Sequence, residues 1–310
     1  MNPKFPVYVP SRGRFNNPLT IRCLKRDRVP FSVVVEPSEE RDYKNVVGPG
    51  QLLVLPWNGD DDNRRAFCAR HSIENGGLIA ARNWIKQHAA AAGYERHWQL
   101  DDNIRQMRRW FRGKRIACAA GIALRACEDF VDRYENVAVA GLNYTMFAHQ
   151  TGKQPRDPFW LNVHVYSCSL ILNSLPYKWR QRYNDDTDFC LQALAGGWCT
   201  VLFNAFMCDK MRTMTVKGGN TQDLYQGDGR LKMARSLERI WPHVVTTYRR
   251  WQRPQHLVRD NWKKFDTPLK RKPTVDFDAL EPNEYGMKLK QLRPIRSQAL
   301  RELVSDCLSF

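Results

Sequence analysis

Two short acidic runs carry the chemistry available to this chain. His97-Trp98-Gln99-Leu100 is a strand-like approach that ends in Asp101-Asp102-Asn103. Three oxygen-bearing side chains at the end of a buried strand suit a hard divalent cation that keeps coordination free for phosphate oxygens. Further on, Asn184-Asp185-Asp186-Thr187-Asp188 opens a helix-like segment. There the helix dipole favours carboxylates, and one of them can act as a general base toward a hydroxyl. Either run alone also reads as a solvated turn or a helix cap. Together, in a strongly basic chain, they point to metal-assisted chemistry on a phosphorylated substrate.

Other residues fit that chemistry. Ser11-Arg12-Gly13-Arg14 offers a hydroxyl and two guanidinium groups around a turn-forming glycine, suited to phosphate or uracil and equally to a plain basic loop. Gly76-Gly77-Leu78-Ile79-Ala80-Ala81-Arg82-Asn83 brings small residues to a helix start, where backbone N–H groups favour a diphosphate. It reads also as a packed helix with an exposed arginine. Lys217-Gly218-Gly219-Asn220 is a polar, glycine-rich loop. Neither a Walker A loop nor a G-x-G-x-x-G fingerprint occurs, which disfavours ATP-driven and nicotinamide chemistry. His164 alternates with apolar neighbours, as a core or crevice residue would; His243 and His256 read as surface residues or metal ligands.

The elements that must position these groups alternate. Strands are expected at Phe5 to Pro10, Phe31 to Glu36, Gln51 to Pro56 and Arg96 to Leu100, with helices from Asn17 to Leu24 and from Asn75 to Ala92. This β-α-β-β-α-β order predicts an α/β sheet of parallel character, whose ligands gather at the carboxyl ends of the strands. Ser11–Arg14 and Asp101–Asn103 both lie at such ends. Beyond them come helices at Ala119 to Tyr134, Asp186 to Leu194 and Gly229 to Ile240. Strands are expected at Val137 to Ala140, Val163 to Leu172 and Cys199 to Phe206, and an irregular linker from Pro268 to Pro282.

The 310 residues are 43% hydrophobic, enough for one large α/β domain with an appendage, and the net charge of +17 favours a polyanionic partner. Nine scattered cysteines without a C-x-x-C pair argue against a disulfide framework or zinc site. No signal-like or membrane-spanning stretch stands out, so the expectation is a soluble, cytoplasmic protein without a membrane partner. From Trp241 to Phe265 the chain is basic and aromatic. Arg249, Arg250, Trp251, Arg253, Lys263 and Lys264 read as a nucleic-acid grip, or as the solvated side of an amphipathic helix docked on the core.

Taken together, Ser-Arg-Gly-Arg, Gly-Gly-Leu-Ile-Ala-Ala-Arg-Asn, Leu-Asp-Asp-Asn and Asn-Asp-Asp-Thr-Asp-Phe-Cys-Leu resemble the motifs of nucleotide-sugar glycosyltransferases of the GT-A class. More narrowly, Tyr-Val-Pro-Ser-Arg-Gly-Arg, Trp-Gln-Leu-Asp-Asp-Asn and Lys-Gly-Gly-Asn look like the phage TET/JBP-associated glycosyltransferases, which act on hydroxymethylated pyrimidines in DNA. The resemblance covers about residues 5 to 225.

It implies a GT-A-like, Rossmann-type mixed sheet with helices on both faces over 1–240; the remainder, 241–310, reads from its composition as a basic-aromatic helical extension. It further implies transfer from a UDP-sugar (UDP-glucose or UDP-N-acetylglucosamine) to 5-hydroxymethylcytosine, with inversion. Pro10, Ser11, Arg12, Arg14, Glu36 and Arg82 would hold the donor with Asp101 and Asp102, and Lys217, Gly218 and Gly219 would steady the leaving diphosphate. Asp101, Asp102 and Asn103 would hold Mn²⁺ or Mg²⁺. Asp186, beside Asp185, would be the base. Asn103 stands where the usual motif has Asp, and Asp185 where it has Glu. Two other readings remain: a sugar nucleotidyltransferase of related fold, and a DNA-binding protein without catalysis.

Overall fold

Four strands with near-continuous apolar character start the sheet, as parallel strands covered on both faces do. In the computed structural model, which describes residues 1–48, 50–57, 61–75, 78–148, 157–211, 229–250 and 253–282, they are β1 (Val7–Pro10), β2 (Ser32–Val35), β3 (Leu52–Val54) and β4 (Arg96–Leu100). They pair in the order β3-β2-β1-β4, all parallel. β5 (Ile104–Phe111), β6 (Lys114–Cys118), β7 (Val137–Tyr144), β8 (Phe159–Leu161), β9 (Cys168–Leu172) and β10 (Cys199–Lys210) extend the sheet as β4-β9-β7-β10-β5-β6, and β8 also pairs with β10. β9 runs antiparallel to both β4 and β7, and β7 and β10 are parallel. The sheet is therefore mixed, as expected from the resemblance.

Strand alternation sorts the core into two faces. Val7, Val9, Val33 and Val35 pack with α1 (Leu19–Arg26), α2 (Glu40–Lys44) and α5 (Ala120–Val131). Tyr8 and Val34 face α3 (Asp61–Arg70), α4 (Ile79–Ala91) and α6 (Asp185–Ala195). At the end of the sheet away from the acidic runs, buried Glu128 accepts hydrogen bonds from Trp98 Nε1 (2.9 Å) and the backbone N–H of Lys4 (2.7 Å), anchoring the amino terminus.

Several expectations change. The strand expected from Val163 is β9 alone, because Asn162 and Ser167 take positive φ (57° and 62°) and break the extended run. The β5–β6 hairpin was not foreseen. Beyond α7 (Gly229–Ile240) the described part of the expected helical extension is a hairpin, β11 (Val245–Arg250) with β12 (Arg253–Val258), followed by a 3₁₀ turn over Arg259–Phe265, and residues 283–310 lie outside the described residues. Val245-Thr246-Thr247-Tyr248 favours a strand, and Pro254 would break a helix. This segment packs on the sheet domain through Leu191 and Leu194 of α6, Leu237 of α7, Val245, Val258, Trp262 and Phe265.

The linker expected from Pro268 is irregular but pinned. Asn162 donates to the Thr267 carbonyl, Asn136 to that of Pro268, and the Glu135 N–H to that of Lys270. The eight cysteines among the described residues are free thiols, and no described helix is long and apolar enough to cross a membrane.

Central β7 approaches its neighbours closely at Gly141. A Cβ there would overlap the Cys168 carbonyl oxygen and lie 2.5 Å from Val165 Cγ1. Backbone cannot yield as a flexible side chain can, so Gly141→Ala is expected to lower unfolding free energy by about 2–3 kcal/mol. A lowered urea midpoint at unchanged m-value is the readout; an unchanged midpoint would contradict the packing.

Candidate active site

The carboxyl ends of β1, β4, β7 and β10 and the amino ends of α4 and α6 meet at one edge of the sheet, and both acidic runs lie there. β4 delivers Asp101, whose backbone N–H donates to the Ser167 carbonyl (2.7 Å). Lys210, the last residue of β10, places Nζ 2.6 Å from Asp101 Oδ2, 3.0 Å from the Tyr144 hydroxyl and 2.8 Å from Ser167 Oγ. Arg82, in the first turn of α4, is almost fully buried. Its guanidinium forms ion pairs with Asp185 (2.9 Å), Asp186 (3.3 Å) and Asp101 (3.5 Å), donates to Gln99 Oε1 (3.3 Å) and lies 5.9 Å from the Trp179 ring centroid. Sequences about eighty to a hundred residues apart thus converge on one cation.

The start of α6 is fixed by two contacts. Asn184 adopts a left-handed conformation (φ 51°, ψ 33°), with its Nδ2 donating to the Met233 carbonyl of α7. Fully buried Asp188 accepts from Arg180 Nη2 (2.5 Å) and Trp241 Nε1 (2.8 Å), a structural role that leaves Asp185 and Asp186 to face the site.

The electrostatics follow from the count of charges: three carboxylates face two cations. Burial opposes a charge on Asp101, yet Lys210 and Arg82 outweigh it and hold its pKa down to about 2. Burial likewise disfavours the charged forms of Arg82 and Lys210, but the carboxylates raise both above their ordinary values. Burial raises Asp185, against the pull of Arg82 and with Asp101 adding to the rise. Asp186 is raised to about 7, because burial and the neighbouring Asp185 and Asp101 exceed what Arg82 and Lys210 return, and it titrates together with Asp185. The last carboxylate to ionise does so with no cation left to answer it. One of the α6 carboxyls can therefore exchange a proton near neutral pH.

Asp102 turns away from this centre. It accepts from Ser11 Oγ (2.8 Å) and forms an ion pair with Arg14, while Ser11 also bonds the Tyr43 hydroxyl (2.6 Å). Asp102 therefore braces the Ser-Arg-Gly-Arg loop after buried Pro10, and Arg12 remains exposed. Glu36, at the end of β2, accepts from Trp57 Nε1 (2.6 Å). Asn103 keeps a buried side-chain oxygen with no hydrogen-bond partner, but one amide oxygen does not make a cation site.

The trio expected to hold Mn²⁺ or Mg²⁺ thus does not fit an ion in this arrangement: Asp101 is taken up by Lys210 and Arg82, Asp102 by Ser11 and Arg14. Among the described residues no three His, Cys, Asp or Glu side chains are grouped to hold a metal. Gly76, Gly77, Lys217, Gly218, Gly219 and Trp251 lie outside the described residues.

Sequence reasoning missed Lys210, Tyr144, Ser167 and Tyr43. Lys210 had a signal: a lone cation ending a long apolar strand, at the carboxyl edge where ligands collect. His164 is half-buried against Trp262 (centroids 5.8 Å apart), with burial pushing its pKa down to about 3. His256, also half-buried, is pushed down to about 4, and His243 is exposed. Of the basic-aromatic residues, Arg249, Arg253, Lys263 and Lys264 are exposed and Arg250 is half-buried, while Trp262 and Phe265 lie in the core and cannot stack on bases.

The raised Asp186 has a consequence for stability. A carboxylate whose folded pKa exceeds its unfolded value of about 3.9 contributes stability that is complete below that value and lost as pH rises through the folded pKa. Asp186→Asn removes that loss, so the variant should resist urea better than wild type at pH 8, with the difference fading toward pH 5. An equal difference at both pH values would contradict the raised pKa.

None of the curated proteins compared with the chain matches it. Residues 5–219 match the sequence profile of the family described as TET-Associated Glycosyltransferase. The matched span runs from β1 through the acidic runs and Lys210, so the chain belongs to the TET-associated glycosyltransferases, enzymes that transfer sugar.

Proposed function

We propose that the protein transfers a sugar from a UDP-sugar, UDP-glucose or UDP-N-acetylglucosamine, to the hydroxymethyl group of a modified pyrimidine, 5-hydroxymethylcytosine, in DNA. The observation that carries this reading is the meeting of Asp101, Asp185 and Asp186 around Arg82 at the carboxyl edge of the sheet, in a chain of a sugar-transferring family. The basic excess of the chain supports a polyanionic acceptor. The donor would lie along the ends of β1 and β2, near Pro10, Ser11, Arg12, Arg14 and Glu36, and Lys217, Gly218 and Gly219, outside the described residues, would steady the leaving diphosphate.

In the proposed reaction the acceptor hydroxyl gives its proton to Asp186 as its oxygen attacks the anomeric carbon. The bond from that carbon to the diphosphate breaks on the opposite side, inverting the centre and releasing UDP. Asp185 keeps Asp186 poised, and Asp101 holds Lys210 and Arg82 beside the leaving group. These two cations meet the charge that develops on the diphosphate, the role a divalent ion would otherwise fill. The target base has to leave the helical stack to reach the sugar.

Mass spectrometry of hydroxymethylcytosine-containing DNA, incubated with the protein and a panel of UDP-sugars, tests this. A hexose or N-acetylhexosamine increment confined to modified DNA is expected. Asp186→Asn should lower the rate by about 10²–10⁴-fold, the usual contribution of a general base. The wild-type rate should rise with pH and level off above about 7. EDTA should leave transfer intact. Donor turnover without a DNA adduct would remove DNA as acceptor; abolition by EDTA with recovery in Mn²⁺ would overturn the charge assignment to Lys210 and Arg82.

A further inference from the structure

The β5–β6 hairpin begins where the acidic run ends, since Ile104 follows Asn103 directly. Its turn residues, Arg112 and Gly113, both have positive φ (47° and 75°), the tight two-residue geometry that matches strand twist. β6 is the edge strand of the sheet. From Ile104 to Cys118 the chain carries Arg105, Arg108, Arg109, Arg112, Lys114 and Arg115 and no acidic residue. Like charges crowded on paired strands oppose folding. Asp209 of β10 pairs with Arg105 (3.2 Å) and Arg108 (3.6 Å), which leaves the hairpin still strongly positive.

Edge strands often carry a charge or two that blocks edge-to-edge pairing, but that purpose needs no aromatic display. Here Phe111 is 44% exposed, with Arg109 and Arg112 at 5.0 and 5.3 Å from its ring centroid, and Arg115 stands 5.6 Å from that of Trp110. Cross-strand pairing puts Arg108, Trp110 and Arg115 on one face of the hairpin and Arg109, Phe111 and Lys114 on the other, and Arg115 links the first face to the site. Arg115 donates to the Thr145 carbonyl (2.5 Å), and Thr145 follows Tyr144, whose hydroxyl accepts from Lys210. From Asn103 to the turn, strand geometry gives a span of about 30 Å, close to one turn of duplex DNA at roughly 34 Å.

We propose that the β5–β6 hairpin is the docking surface for the phosphate backbone of the acceptor DNA, with its guanidinium groups on phosphates, delivering the target base to the adjacent site. This rests on the reading that the acceptor is a base in DNA. It moves the principal DNA contact away from the segment after Trp241, whose Trp262 and Phe265 rings are buried and whose Trp241 indole is bound to Asp188.

The test is fluorescence anisotropy of a duplex oligonucleotide across a KCl series. Three proteins are compared: wild type, the triple variant Arg112→Ala/Lys114→Ala/Arg115→Ala, and a charge-matched control, Arg249→Ala/Arg253→Ala/Lys263→Ala. Each lost phosphate contact lowers the slope of log K against log salt by about 0.9. The hairpin variant should lose about two to three in slope and at least about tenfold in affinity at low salt, with the control close to wild type. Urea midpoints check that both variants fold, and Lys114→Glu alone, at an exposed position, should weaken binding in the same direction. Equal losses in both triple variants, or none in the hairpin variant, would overturn the proposal while leaving the acceptor reading intact. No DNA binding by the wild-type protein would overturn both.

Discussion

A single buried guanidinium organises this protein. Removing Arg82 from water costs several kcal/mol on general grounds, and leaving it buried without partners would be strongly destabilising. Asp101, Asp185 and Asp186 compensate it, and they come from two acidic runs that would otherwise repel each other. The ion pairs tie α4 on one face of the sheet to the end of β4 and the start of α6. Without that cation there is no reason for the carboxylates to share a site, so the constraint acts on fold and chemistry together.

The same constraint sets the acid–base character. Lys210 satisfies Asp101 and leaves the α6 pair short of positive charge, so the shortage appears as a raised Asp186. Charge is thus distributed unequally among chemically identical side chains: Asp101 stays ionised under all ordinary conditions, while Asp186 can gain or lose a proton near neutrality. Asp102, one residue from Asp101, has a different task because the chain alternates direction there, sending it to Ser11 and Arg14. The Ser-Arg-Gly-Arg loop is held by that carboxylate rather than left as a mobile basic arm.

Much of this was legible in the sequence. The apolar runs before Ser11 and Asp101 marked parallel strands and hence a shared carboxyl edge. Both acidic runs and Arg82 were identifiable from residue type and position on their elements. Lys210 was not, because its partner Asp101 lies on a distant strand, and the pairing depends on β10 running to the same edge. The positive φ at Ser167, which shortened the expected strand and brought its carbonyl to Asp101, leaves no trace in composition. The segment after Trp241 misled in another way: its spacing of aromatic and basic residues suits a helix or a strand, and Pro254 with the β-branched run decided for a hairpin.

The most direct measurement is a carbon-detected NMR titration of the Asp186 side-chain carboxyl, assigned by comparison with Asp186→Asn. The account predicts that this carboxyl ionises near neutral pH, while Asp101 shows no titration down to the acid limit of the folded protein. An Asp186 that titrates at the ordinary carboxylate value of about 3.9 would contradict the account, because three carboxylates would then share Arg82 without the charge shortage that raises one of them toward neutral pH.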